Sequence, residues 1–235
     1  MSTHLGPVAR VPLSLEIAGR LRDAILAGDL TVDQELPTEA ELSTTFGVGR
    51  STIREALRVL QSQGLVTGAE SVSTTRPRVT HERTAPTAAT ALSTAMRVGA
   101  VPLPDLVDLR VLLEGASLRG IDEVPDAARE CLATMRSAAE AGNVVAFHLA
   151  DVDFHVRLAY AGGNAAFGLV VEVLRGSIAT YLLEALQALE APEPVLAGLC
   201  GEHEGIVAAL DDHDHERAAT LVEAHIRGFY EPVRR

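Results

Sequence analysis

The chain has 235 residues and a formal net charge of -12, with 32 acidic residues against 20 basic ones, all of them arginine. Apolar residues make up 47% and aromatics only 3%, enough to bury a sizeable core and too much for a disordered chain. Two cysteines, Cys131 and Cys200, exclude a dense disulfide framework. No apolar run reads as a membrane span and no leader pattern opens the chain, so the expectation is a soluble, cytoplasmic protein with no membrane partner.

An acidic balance argues against nucleic acid only if the charge is evenly spread. Here it is not. Residues 1–83 hold nine arginines and ten acids, a net of -1, whereas residues 84–235 hold eleven and twenty-two, a net of -11. The first part can carry a local basic face; the second is an acidic body with no claim on phosphates.

In chain order, residues 2–12 read as a loose arm. Leu13, Ile17, Leu21 and Ile25 recur every four residues and predict a helix over Leu13 to Ala27, stopped by Gly28-Asp29. Thr38, with Glu41 three residues on, forms a capping-box pattern before a short helix Glu39 to Phe46. Gly47-Val48-Gly49 breaks it, and a second helix runs from Ser51 to Gln63 with Ile53, Leu57 and Leu60 inward. Leu65-Val66 begins something extended. Residues 67–87, rich in Ser, Thr, Pro and Arg, form the natural boundary, so the expected domains are 1–83 with the linker and 84–235. Beyond it the pattern is helical near 87–98, 105–120, 125–141, 143–160, 164–188, 194–211 and 213–231. The fold class is therefore mainly α, a helix-turn-helix followed by an all-α bundle of seven helices.

Arg50, Arg54 and Arg58 stand four apart on the stripe opposite Ile53, Leu57 and Leu60, with Ser51 and Thr52 beside them at the helix start. Such a helix suits a major groove, its arginines contacting phosphate or guanine. An ordinary amphipathic helix pair with a solvated face has the same layout. The stretch Leu36-Pro37-Thr38-Glu39-Ala40-Glu41-Leu42, then Phe46-Gly47-Val48-Gly49-Arg50-Ser51-Thr52-Ile53-Arg54-Glu55-Ala56-Leu57, closed by Gly64-Leu65-Val66, resembles the winged-helix reader of GntR-type transcription regulators. The resemblance implies a homodimer gripping an inverted-repeat operator, with Arg50 and Arg54 at positions that contact DNA; with the helix face added, the expected DNA-binding set is Thr38, Arg50, Ser51, Thr52, Arg54, Arg58 and Arg76. Ala40 stands where the family often has arginine, and the usual glycine after Leu30 is replaced near Val32-Asp33. Gly68 is the only glycine between Val66 and Val79, where Arg76 and Arg78 are candidates for the wing's minor-groove role.

In the second part, Asp151 and His155 are four apart and share a helix face, while His203 and His225 lie on the last two helices, twenty-two residues apart. Antiparallel neighbours would bring these to one level, giving a carboxylate and three imidazoles for a divalent metal, zinc first, with Ni, Mn or Fe also suited. Each histidine taken singly also reads as a hydrogen-bonded core residue. Asp151 has no other obvious partner, Glu202 and Glu204 flank His203 but point elsewhere on the helix, and His148, His213 and His215 read as solvent-facing or near a turn. Residues 87–235 resemble the all-helical effector domain of the FadR-like branch of the same regulators, through Asp105-Leu106-Val107-Asp108-Leu109-Arg110, Asp151-Val152-Asp153-Phe154-His155, Gly163-Asn164, His203 and His225. That resemblance implies Asp151, His155, His203 and His225 as metal ligands, Arg110 and Asn164 as effector-binding residues, and a small carboxylic acid as the effector; Asn164 reads equally as a helix cap. The function expected is a DNA-binding transcription regulator, a repressor by prior; a metal-sensing regulator and a metal-dependent bundle enzyme are the alternatives.

Overall fold

The computed structural model describes residues 12–68, 76–80 and 84–230. The expected N-terminal arm lies outside them except for Pro12. The chain divides into two compact units, Met1–Thr87 and Ala88–Arg235.

In the first unit, α1 (Leu13–Ala27) and α2 (Glu39–Phe46) both pack on α3 (Arg50–Ser62). Their shared core is Ile17, Leu21, Leu36, Leu42, Ile53, Leu57 and Leu60, closed by Val66 and Val79. Leu13, placed on the inward stripe by its spacing, is 57% exposed, because α1 starts there and its first turn overhangs the core. Helix α2 is fixed at its start by the capping box: Thr38 N donates to Glu41 Oε2 at 2.7 Å and Glu41 N to Thr38 Oγ1 at 3.2 Å. It ends at Gly47, whose φ of 65° allows the sharp entry into α3. Asp33, near the position where the resemblance implies glycine, takes the same left-handed conformation with φ 65°. Aspartate tolerates this better than most side chains, so the turn survives the exchange.

Two short strands follow, β1 (Val66–Thr67) and β2 (Arg78–Val79), antiparallel with Val66 opposite Val79, and Glu35 makes a bridge to Arg78. These are the stem of a wing; its tip, 69–75, lies outside the described residues.

Helix α4 (Thr84–Arg97) leads to α5 (Leu103–Leu118), α6 (Asp126–Glu140), α7 (Val144–Ala161), α8 (Ala165–Gln187), α9 (Pro192–Asp211) and α10 (His215–Tyr230). Seven helices are thus observed among the described residues from Thr84 onward, as the periodicity predicts, with ends displaced by at most three residues. The start of α9 at Pro192 rather than Pro194 reflects the tolerance of a helix's first turn for proline, whose missing N–H has no partner there anyway. Helix α7 packs against α5, α6, α8 and α9, and α10 against α5 and α9. The last turn of α5 meets the end of α7 so closely that a Cβ on Gly162 would lie 2.3 Å from Ser117 O.

One sequence expectation needs correction. Helix α8 is 23 residues long with a mean hydropathy of 1.5 over its most apolar stretch, so by length and composition it does qualify as a membrane span. It is instead packed in the bundle against α5 and α7, with Arg175 buried at its middle and ion-paired to Asp151. A buried, paired arginine facing other helices is what a bundle-core helix needs.

Candidate metal centre and DNA-reading face

On the reader, Arg50, Ser51, Arg58 and Arg76 are exposed, while Thr38, Thr52 and Arg54 are half-buried. Thr38 is engaged in the cap described above. Helix α3 begins at Gly49 with no side chain capping it, which leaves its leading amides for solvent or a phosphate. Arg54 is held by a two-point pair with Glu39 of α2, Nε to Oε1 at 3.0 Å and Nη2 to Oε2 at 2.8 Å. The same hydrogen bonds hold the Glu39 carboxyl below its usual range. The sequence pattern gives no sign of this pair, because the two residues come from different helices fifteen apart.

In the second unit the four predicted ligands do converge. Asp151 and His155 of α7, His203 of α9 and His225 of α10 are all buried, and one donor atom from each lies within 4.8 Å of the others. His203 Nε2 is 3.0 Å from Asp151 Oδ1, and His155 Nε2 is 3.5 Å from it. The outward nitrogens are already committed. His155 Nδ1 is 2.6 Å from Glu114 Oε2, His203 Nδ1 is 2.7 Å from Leu199 O, and His225 Nδ1 is 2.6 Å from Glu202 Oε2. A carbonyl or carboxylate at Nδ1 fixes the proton there and turns the lone pair of Nε2 inward. Burial, with the neighbouring histidines, pushes His225 well below its usual range. Burial also pushes His203 down, against the pull of Asp151. Both therefore offer neutral imidazole at neutral pH. Burial would raise the Asp151 carboxyl, but Arg175 and the histidines outweigh it and hold it well below the usual range. Three inward-facing imidazoles and one ionised carboxylate fit a divalent cation of borderline character.

Three expectations are corrected here. Asp151 does have a partner: Arg175 Nη2 donates to Oδ2. Glu202 does not point away but holds His225, because α10 crosses α9 at that level. His148, read as solvent-facing, is only 4% exposed, one turn before Asp151 on the inner side of α7.

Arg110 lies in the same interior, 1% exposed. Its Nε donates to Glu114 Oε1 at 2.6 Å and its Nη1 to the Tyr230 hydroxyl at 3.1 Å. Arg110 Nη2, Arg175 Nε and His148 Nδ1 are buried with no hydrogen-bond partner among the described residues. All three residues, with Asp151 and His225, line one small cavity of about 20 Å³. Asn164 is elsewhere: it is exposed, its Oδ1 accepts from Ala166 N at 3.0 Å to cap α8, and it does not line this cavity. Arg175 was missed in the sequence, where a single arginine near the middle of a long apolar helix was the available signal. Glu114 was legible as the partner four residues beyond Arg110.

A winged helix-turn-helix joined to an all-helical body with a buried ligand cluster is the build of a DNA-binding regulator rather than of an enzyme. Residues 13–75 match the bacterial regulatory proteins of the gntR family, and residues 105–228 match the FCD domain. The chain is 30% identical over 232 residues to the HTH-type transcriptional repressor NanR of Escherichia coli, covering 94% of this chain and 84% of that one. It is also 30% identical over 148 residues to the fatty acid metabolism regulator protein of Salmonella paratyphi B, covering 60% and 59%. A solved GntR structure from Streptococcus agalactiae has the same fold, with a TM-score of 0.59 at 24% identity, covering 92% and 98%. The chain belongs to the gntR family of bacterial regulatory proteins and carries an FCD domain, and its family is one of transcription regulators.

Proposed function

We propose that this regulator is a cytoplasmic homodimer that binds an inverted-repeat operator and represses until a small carboxylic acid occupies the FCD domain beside a divalent metal, zinc first. The observation that carries this reading is the pairing, in one interior, of an inward-facing Asp-His-His-His donor set with unpartnered polar atoms of Arg110, Arg175 and His148. When bound, the metal would supply a Lewis-acidic anchor for a carboxylate; Arg110 and Arg175 would hold and orient that carboxylate through their spare N–H groups. Arg50, Ser51, Thr52, Arg54 and Arg58 would present α3 to a major groove, and Arg76 would approach the neighbouring backbone. Exposed apolar side chains on α5, α7 and α8, among them Leu112, Leu149 and Val170, support a subunit contact. Acid binding would reach the readers through the segment 67–87.

The test is fluorescence anisotropy on operator DNA with zinc-loaded protein, titrated with candidate acids. A bound acid should weaken operator affinity; acids that bind without any change in it would sink the switching role. A metal-sensing regulator is the competing reading, and it predicts instead that zinc removal alone changes operator affinity.

A further inference from the structure

The polar cavity is too small for what it is equipped to hold. About 20 Å³ accommodates one water, not a carboxylic acid of several carbons. It shares three wall residues, Leu186, Leu199 and Phe229, with a second cleft of about 370 Å³ formed by α8, α9 and α10. That size is typical of a small-molecule site. The cleft is largely apolar: Leu189, Pro194 and Val195 line it, together with two glycines, Gly198 on α9 and Gly228 in the last turn of α10. A Cβ on either would touch nothing within 4 Å. Its one charged lining residue is Glu202, whose Oε2 is 2.6 Å from His225 Nδ1, so the cleft abuts the ligand cluster at His225.

Resting on the carboxylate reading above, the geometry points to the class of acid: an aliphatic or aryl monocarboxylate whose head takes the unpartnered Arg110 and Arg175 groups and whose apolar tail leaves between Leu186, Leu199 and Phe229 into the α8–α10 cleft. Among the described residues the route is mostly apolar and offers few partners for the hydroxyls of a sugar acid. The non-polar walls of the inner cavity are Phe147, Leu182, Leu186, Leu199, Ile226 and Phe229, and unpaired hydroxyls against them are disfavoured. Glu202 at the cleft wall disfavours a second carboxylate on the tail.

Calorimetry on the full zinc-loaded chain with propionate, hexanoate, gluconate and adipate tests this. Each methylene buried is worth roughly a fourfold gain in affinity, so hexanoate should bind tenfold or more tighter than propionate. Gluconate and adipate should both bind more weakly than hexanoate. Gly198→Leu fills the cleft, and so does Gly228→Leu from the other side. Either should erase the hexanoate advantage while leaving zinc content unchanged, which also shows that the variant is folded. Equal binding of hexanoate and propionate, tightest binding of gluconate or adipate, or a hexanoate advantage that survives both substitutions overturns the tail assignment alone. Failure of all four acids to bind the zinc-loaded chain removes the carboxylate reading, and this proposal with it.

Discussion

His155 Nε2 and His203 Nε2 face each other 3.2 Å apart, although each ring has its Nδ1 committed to an oxygen acceptor. With the protons on Nδ1, both Nε2 atoms carry lone pairs, and so does Asp151 Oδ1, 3.0 Å from His203 Nε2. Acceptors so placed repel one another unless a cation lies among them. The protein should therefore bind one equivalent of zinc. At free zinc one hundred times its Kd the folded state gains about 2.7 kcal/mol, seen as a lower Tm after chelation. His203→Ala should lose stoichiometric metal, measured by elemental analysis after gel filtration. Unchanged metal content in that variant would place the ion elsewhere.

Glu202 touches no candidate donor position itself, but it holds His225 through Nδ1. Loss of such an outer carboxylate commonly costs roughly 10–100-fold in metal affinity. Glu202→Ala should show a loss of that size in competition with a chromophoric chelator, with the circular dichroism spectrum unchanged. Glu204→Ala, one residue beyond His203 and paired with Arg136 on the outer surface, should show none.

The pH response follows from His203 and His225, both pushed below the ordinary histidine range by burial. Their folded-state pKa values are lower than in the unfolded chain, so the unfolded chain takes up protons first as pH falls. Stability of the metal-free protein should be full above about pH 6.5 and decline below it. Zinc affinity should hold at pH 6.5 and fall only further down, where protons begin to compete for Nε2. Urea midpoints and zinc titrations between pH 5 and 8 measure the two. A stability that rose on acidification would contradict the neutral assignment of these rings.

The Arg110–Glu114 pair is almost wholly buried, its carboxyl held far below the usual range because Arg110 and His155 outweigh the cost of burial. Removing one partner leaves the other charge uncompensated, which costs about 3–5 kcal/mol. Arg110→Met should lower stability by that order in urea unfolding. Arg110→Met with Glu114→Gln should recover most of it while still failing to bind a carboxylate. Equal stability of the single and double variants would show that the pair is not coupled.

The helix pair of the reader and the helices of the body were legible because they rest on short-range pattern: spacing of four along a helix, glycine punctuation, a capping box. The meeting of Asp151 and His155 with His203 and His225 needed more, an antiparallel pairing of the last two helices and the family resemblance. What sequence could not reveal depends on which helices cross. Arg175 reaches Asp151 from α8, Glu202 reaches His225 from α9, and Glu39 reaches Arg54 between α2 and α3. None of these pairs has helical spacing. His148 was misjudged because its own position on α7 gives no sign that α8 packs closely against that helix. Asn164 was read two ways, and its place outside the cavity follows from its bond to Ala166, which local sequence permits but does not require.

The Glu39–Arg54 pair makes Arg50 and Arg54 of the reader unequal. Arg50 is exposed, so Arg50→Ala should leave stability within about 0.5 kcal/mol and reduce the salt slope of DNA binding by about 1. Arg54→Ala also removes the cation that Glu39 faces. Glu39 then stands as an unpaired, ionised carboxylate at the start of α2, close to where phosphates would lie. Operator affinity in Arg54→Ala should consequently fall several-fold further than in Arg50→Ala. The excess comes from Glu39, so Glu39→Gln with Arg54→Ala should restore affinity to about the level of Arg50→Ala. In the otherwise natural protein, Glu39→Gln frees Arg54 from its two-point hold. It should raise affinity for random-sequence DNA, through one fewer negative charge, while lowering the ratio of operator to random binding. Anisotropy titrations at two salt concentrations on operator and scrambled duplexes measure all four variants. If the double variant binds no better than Arg54→Ala, Glu39 does not act on DNA through its charge, and its part is confined to joining α2 to α3.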